Sequence, residues 1–309
     1  MGKFWRKKVL MGGIEATYGT PLAIGSCAAI QAKNVAFNPA EGADKDLAHE
    51  TPMMGNSASL PIDKHATLSF QTDLVGSGTA GTPPAFATML RAVGMAETVT
   101  PGTSVVYNPV SDALDSATFW LNVDGVLYAF AGTRGTAKLV LNASSEPMIE
   151  WSFTALYSAP TDAAPVVPDL SSWLKPKAVS KANTPIFTID GASLFLRSFT
   201  LDLACQVEPR FLANKEEIAL VDRAEMIQAQ IEAEALAVFN PWSLADAQAG
   251  PVWVLQHEAA AGRTIRIDVP AGQMLRPGAP TEAQGIKELP LNAKPMPIAG
   301  NDQFTLTFT

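Results

Sequence analysis

The residues of this 309-residue chain that could do chemistry are few and scattered. Its histidines are His49, His65 and His257, and none has the HxxxH or HExxH spacing that would turn two imidazoles toward one metal ion. Asp63-Lys64-His65 has residue types of a charge relay, but it ends a polar loop and no GxSxG elbow supplies a nucleophile. Gly76-Ser77-Gly78-Thr79-Ala80-Gly81 could aim backbone N–H groups at a phosphate ahead of a helix. It lacks the Gly-Lys-Ser/Thr ending of a P-loop and reads as a flexible strand-to-helix connection. Glu232 and Glu234 share a predicted strand face and are the residue types of a glycosidase pair. That chemistry needs one carboxyl in a pocket that raises its pKa and a second across the sugar, so a solvated acidic strip is the simpler reading. Trp120, Trp151, Trp173, Trp242 and Trp253 could line a sugar site, but tryptophan on a sheet more often serves core or interface. Cys27 and Cys205 form no CxxC unit and read as reduced packing residues. The expectation is a non-enzyme with no catalytic residue, no cofactor and no metal.

Composition points the same way. The chain is 47% hydrophobic, which excludes wholesale disorder, and only 17% charged, against about 25% in typical soluble proteins. So little charge predicts surface buried against partners. A net charge of −8 argues against a protein that grips nucleic acid over its whole surface. No apolar run reaches the length of a membrane-spanning helix. Lys3, Arg6, Lys7 and Lys8 could open a signal peptide, but Val9-Leu10-Met11 runs straight into Gly12-Gly13. The chain is therefore expected to be soluble, made in the cytoplasm and not inserted in a membrane.

The elements that would position these residues are mostly strands. Apolar and polar residues alternate over 66–74, 149–155, 195–207, 227–235 and 304–308, and two further strand-like runs, 118–123 and 126–131, flank Asp124-Gly125. Asp124-Gly125 suits a type I′ hairpin turn. In 227–235 the Ala/Glu/Gln composition favours helix. Period two, however, gathers Gln228, Gln230, Glu232 and Glu234 on one face, and a strand is predicted. Short helices are predicted at 83–93, capped by Thr82, and from Asn240-Pro241 toward Gly250. Five prolines between 160 and 185 predict an extended linker. The halves on either side repeat one order: strand, polar excursion, strand, short helix, strands. The chain thus divides into an N-terminal segment 1–32, a first unit 33–159 with a long loop at about 41–64, a linker 160–186 and a second unit 187–309, an internal duplication by order of elements.

Several turns, taken in order, carry a likeness. Gly12-Gly13-Ile14-Glu15-Ala16-Thr17-Tyr18-Gly19-Thr20-Pro21 is followed by Met54-Gly55-Asn56-Ser57 through Gly76–Gly81 and by Asn122-Val123-Asp124-Gly125-Val126. Then come Thr133-Arg134-Gly135-Thr136, Ala159-Pro160-Thr161-Asp162 and Ala182-Asn183-Thr184-Pro185. Together these resemble the tail tube proteins of long-tailed, non-contractile bacteriophages, over most of the chain to about Arg223 and more weakly after Ala249. The resemblance implies a mainly β fold of two tandem tube-like sandwich or half-barrel domains, each with a short flanking helix. It also implies inner sheets that join between subunits around a lumen, in rings that stack. Ring-to-ring contact would fall to the N-terminal arm and the long loop, here Lys3, Arg6, Lys7, Lys8, Asp44, Lys45, Asp46, Met53 and Met54. Thr67, Ser69, Gln71 and Asp73 would join Gln228, Gln230, Glu232 and Glu234 on the lumen. An acidic bore would let DNA slide rather than stick. Two such domains per chain favour a homotrimeric, pseudo-hexameric ring. The expected partners are itself, a tape measure protein, tail initiator or baseplate and terminator proteins, and DNA in transit, in a virion tail assembled in the host cytoplasm. The alternatives are the inner tube of a contractile or type VI-like injection machine, and a β-sandwich adhesin or carbohydrate-binding module.

Overall fold

The computed structural model describes residues 2–309. It is mainly β, with two short α-helices among the described residues and no sheet closed into a barrel. Its centre is the long strand Val126–Asn142. Beyond Gly135 it buries Ala137, Leu139 and Leu141 and turns Thr136, Lys138 and Val140 the other way, the alternation that one apolar face dictates. A bulge between Ala131 and Arg134, with Gly132 at φ 59°, bends it. Its N-terminal part returns through Asp124-Gly125, at φ 44° and 91°, to pair with Ala117–Val123, the tight turn predicted from that dipeptide.

Two sets of antiparallel strands extend from this centre. On one side lie Met148–Leu156, Ser59–Asp73 and the edge strand Lys33–Asp46. On the other lie Leu196–Asp202, Met226–Glu232 and Ile286–Pro295, with Gly272–Met274 and Thr281–Ala283 at the far edge. The ladder from Ser198↔Asn142 to Asp202↔Lys138 makes them one sheet, with four strand positions on each side, the outermost of the second half shared by the short strands Gly272–Met274 and Thr281–Ala283. Numbered by chain position, both quartets lie in the same spatial order: first, second, fourth, third. A second, 7-stranded sheet also draws on both halves, because the last strand Thr305–Phe308 pairs with Ser104–Pro109. The faces of the two sheets share one apolar core, in which Phe86, Trp151, Phe153, Phe199 and Trp253 are fully buried.

Several boundaries differ from expectation for local reasons. The first helix is only Ala87–Ala92 and begins after Phe86 with no side-chain cap, so Thr82 does not cap it. Pro83 and Pro84 push the residues before them out of the α region, and the helix can start only later. The second, Pro241–Asp246, follows the prediction: Asn240 Oδ1 accepts the Ser243 N–H at 3.1 Å. The strand expected over 195–207 breaks at Leu203-Ala204, where Ala204 takes φ 44°. It resumes as Cys205–Leu212, hairpinned with Lys215–Arg223. That hairpin folds onto the first half: the Ile218 N–H donates to the Tyr18 hydroxyl at 2.6 Å, and Arg134 donates to the Ile218 carbonyl at 3.0 Å. The excursion at 41–64 is mostly paired, since strands reach Asp46 and resume at Ser59. Segment 1–32 is not a free arm, because Lys8–Ile14 lies between Ala117–Val123 and Ala28–Ile30. The proline-rich linker is extended but fastened. Thr161–Asp162 pairs with the Val126 end of the central strand, and buried Trp173 donates its indole N–H to the Ala29 carbonyl at 3.0 Å.

Candidate assembly surfaces

The candidate chemical motifs are spent on structure. No group of three or more His, Cys, Asp or Glu is placed to hold a metal among the described residues. In the glycine loop, the Gly78 N–H donates to the Gly262 carbonyl at 2.8 Å, so that donor faces protein rather than a phosphate. His65 Nδ1 lies 2.9 Å from the Asp63 carbonyl, a local turn contact. Burial pushes the Cys205 thiol up to about 11, which keeps it protonated at neutral pH. The Glu232–Glu234 pair separates: the strand ends at Glu232, which faces Glu288 across the ladder.

What the sheet offers instead is a long polar face. Register aligns Ser69 with Ser152 and Thr136, and Gln71 with Glu150, Lys138 and Asp202, across strands of both halves. Thr200 and Ser198 continue into Gln228 and Gln230, and Gln228 lies opposite Asn292. Thr67, Ser69, Gln71, Gln228, Gln230 and Glu232 therefore share one face of one sheet. Asp73 does not belong to its open part: it is buried and paired with Lys33 at 2.5 Å. Nor is the face uniformly acidic, because Lys138 pairs with Asp202 at 3.3 Å and Arg197 with Glu288. Glu150, Lys138, Ser152, Thr136 and Asn292 were absent from the predicted set. The alternation of Ala137, Leu139 and Leu141 and of Ile149, Trp151 and Phe153 carried the signal for the first four.

The residues predicted to touch another ring fall into two groups. Asp44, Lys45, Asp46, Met53 and Met54 sit on the outer part of the long hairpin or its tip, all exposed. The basic N-terminal residues gather at the 124–125 turn. Lys7 Nζ lies 3.3 Å from Asp124, and the Phe4 N–H donates to the same carboxylate at 2.7 Å. Lys8 donates to the Val35 carbonyl and lies over the Trp5 ring, which stacks on Phe37. Lys3 and Arg6 are exposed.

Two buried polar clusters tie together segments distant in sequence. Glu15 accepts four hydrogen bonds, from the Gly19 and Gly132 N–H groups and the Ser116 and Thr118 hydroxyls, and so fixes the 15–20 turn. At the other cluster, buried Glu258 binds Arg263 and Lys177, while His257 Nδ1 contacts Thr184 Oγ1 at 2.9 Å and its Nε2 has no hydrogen-bond partner among the described residues. Burial holds the His257 pKa below its ordinary 6.5. Burial alone would raise Glu258, but Arg263 and Lys177 hold it below 4.5. The unfolded chain thus takes up protons first, at histidine as pH falls through 6.5 and at Glu258 below 4.5. Stability contributed by both groups is present at neutral pH and declines on acidification. Denaturation midpoints against pH should show both losses, and His257→Asn should remove the upper one only.

These features describe a β protein that leaves open sheet edges, a polar sheet face and exposed apolar projections as candidate assembly surfaces. The family model for phage tail tube protein matches residues 5–287, and the chain belongs to that family. None of the curated proteins compared matches it. It is a structural component of a phage tail, of a kind that self-assembles into a tube.

Proposed function

We propose that this chain forms three-subunit rings whose stacking builds the conduit through which DNA, and the tape measure protein before it, leave the capsid. The observation that carries this reading is the ladder between Val126–Asn142 and Leu196–Asp202. It joins the third strand of one quartet to the first strand of a second quartet with the same order, as expected of two tandem tube domains. The same joint made between chains would pair the Lys33–Asp46 edge of one copy with the Gly272–Met274 and Thr281–Ala283 edge of the next. Open edges invite pairing, and a closed ring removes them. Three chains of two quartets give the six quartets of a pseudo-hexameric barrel, with Thr67, Ser69, Gln71, Gln228, Gln230 and Glu232 toward the bore.

A lumen of amides, hydroxyls and paired charges offers phosphates little to hold. Glu232→Lys is expected to slow ejection and to make its rate rise with salt as the added cations are screened. An unchanged rate would remove Glu232 from the bore. End-on electron microscopy of the assembled chain tests the ring: three copies around a central hole are expected, and six copies would place the second half outside the barrel wall. Assembly in the host cytoplasm onto an initiator complex, ended by a terminator, completes the reading.

A further inference from the structure

A stack of identically oriented rings needs two different, complementary surfaces at its two ends, since each contact is head to tail and never closes. The register of the larger sheet sets where both surfaces lie. Residues 65–73 of the Ser59–Asp73 strand pair with Met148–Leu156, but residues 59–62 pair only with the Lys33–Asp46 strand, and 63–64 lie in a register shift of that hairpin. Those six residues run beyond the neighbouring strand, a projection of about 20 Å at 3.3 Å per residue. The hairpin there is exposed on both faces, and its tip presents Met53 and Met54 at 80% and 106% exposure, beside exposed Leu47 and Leu60. Unbranched, flexible methionine side chains adapt readily to an apolar partner surface.

The opposite end of the same sheet carries an apolar patch on the second half. His65 is level with Leu156 and Ala131, whereas Ser198 is level with Asn142, at the other end of the central strand. Beyond Ser198 the Phe195 carbonyl accepts the Glu232 N–H, and the Lys287 carbonyl accepts the Ala233 N–H, so Phe195, the 233–238 turn and Ile286 stand at adjoining strand ends. Phe195 is 65% exposed, and Leu236, Val238 and Ile286 are exposed with it. A cluster of four large apolar side chains in water marks an interaction site rather than ordinary surface scatter.

We propose that this patch of Phe195, Leu236, Val238 and Ile286 is the receptor for the 47–58 tip of a second copy in the adjoining ring, with Met53 and Met54 as the inserted side chains. The proposal rests on the tube reading and adds the site at which one ring grips the next. The test is a set of full-length chains carrying Met54→Cys together with Phe195→Cys, Leu236→Cys or Ile286→Cys, oxidised after assembly and run on a non-reducing gel. A disulfide forms only when Cα atoms come within about 7 Å, and head-to-tail linkage would give a ladder of many subunits with at least one pair and none with Met54→Cys alone. Alongside it, Phe195→Asp with Ile286→Asp should leave rings with unchanged copy number and lower tube length at least tenfold. Tubes in the microscope without a ladder from any pair, or tubes of normal length from the double aspartate, would overturn this pairing and leave the tube reading standing. A chain that forms neither rings nor tubes would overturn both.

Discussion

Replacing Gly262 by alanine is expected to destabilise the chain strongly. Gly262 lies at φ 78°, and a Cβ there would sit 2.3 Å from the Gly78 carbonyl carbon and 2.4 Å from the Thr79 nitrogen. All of these are backbone atoms, so no side chain can swing aside. Gly76 faces the same contact from the other side, its Cβ position 2.3 Å from the Gly262 oxygen. Left-handed strain costs about 1–2 kcal/mol, and forced separation of packed backbone adds about 1–3 kcal/mol. A loss of roughly 2–5 kcal/mol should appear in the denaturation midpoint of Gly262→Ala. Gly76→Ala should lose somewhat less, since it pays no left-handed term. Because the clasp joins the 76–81 loop to the 258–263 loop, the unfolding transition should also become less cooperative. A midpoint within error of the parent for both variants would show that the two loops are not held together.

The second large effect is expected at Glu15→Ala. The carboxylate is buried and takes four donors at 2.6–2.8 Å with no cation among them. Removing it leaves the N–H groups of buried Gly132 and half-buried Gly19 without an acceptor. Each such orphan costs about 1–3 kcal/mol, so a total of roughly 2–6 kcal/mol follows. Glu15→Gln keeps one accepting oxygen but sets an amide NH2 against one of the N–H donors, and about half the loss should remain. Hydrogen exchange should report the change locally, with the Gly19 and Gly132 amides losing protection before the central strand does. Equal stability of all three chains would remove the four-donor arrangement as a determinant of the fold.

The two variants touch features that differ in how far they can be read from the sequence. Alternation around Phe70, Trp151 and Ile227 needs no knowledge of partners, because one apolar face dictates period two whichever strand lies alongside. Hence the strands, the Asp124-Gly125 turn and the shared face of Gln228, Gln230 and Glu232 were legible. The ladder of Leu196–Asp202 on Val126–Asn142 was not, since the pattern is the same for any neighbour. The break at Ala204 was hidden because a positive φ at alanine leaves no mark in composition. Asp73 looked like one more polar residue on an open face, and only Lys33, brought across from the edge strand, buries it. Glu15 was noticed within a turn motif, but its role depends on donors from Ser116, Thr118 and Gly132, about a hundred residues on. The proline count of the linker was informative about extension. It carried nothing about Trp173, whose burial depends on Ala29 and Phe86.

The Val126–Asn142 to Leu196–Asp202 ladder also bears on how a ring would come together. Two joined quartets are held at the effective concentration of a single folded molecule, so that joint forms in folding and not by encounter. In a ring of six separate quartets every joint must be found by diffusion, and each binding step gives up translational and rotational freedom. In a ring of three joined pairs only half of the joints carry that cost. The critical concentration for ring closure should fall accordingly. A single surface mutation would then appear at three positions around the bore instead of six, leaving alternate positions free to take on different tasks.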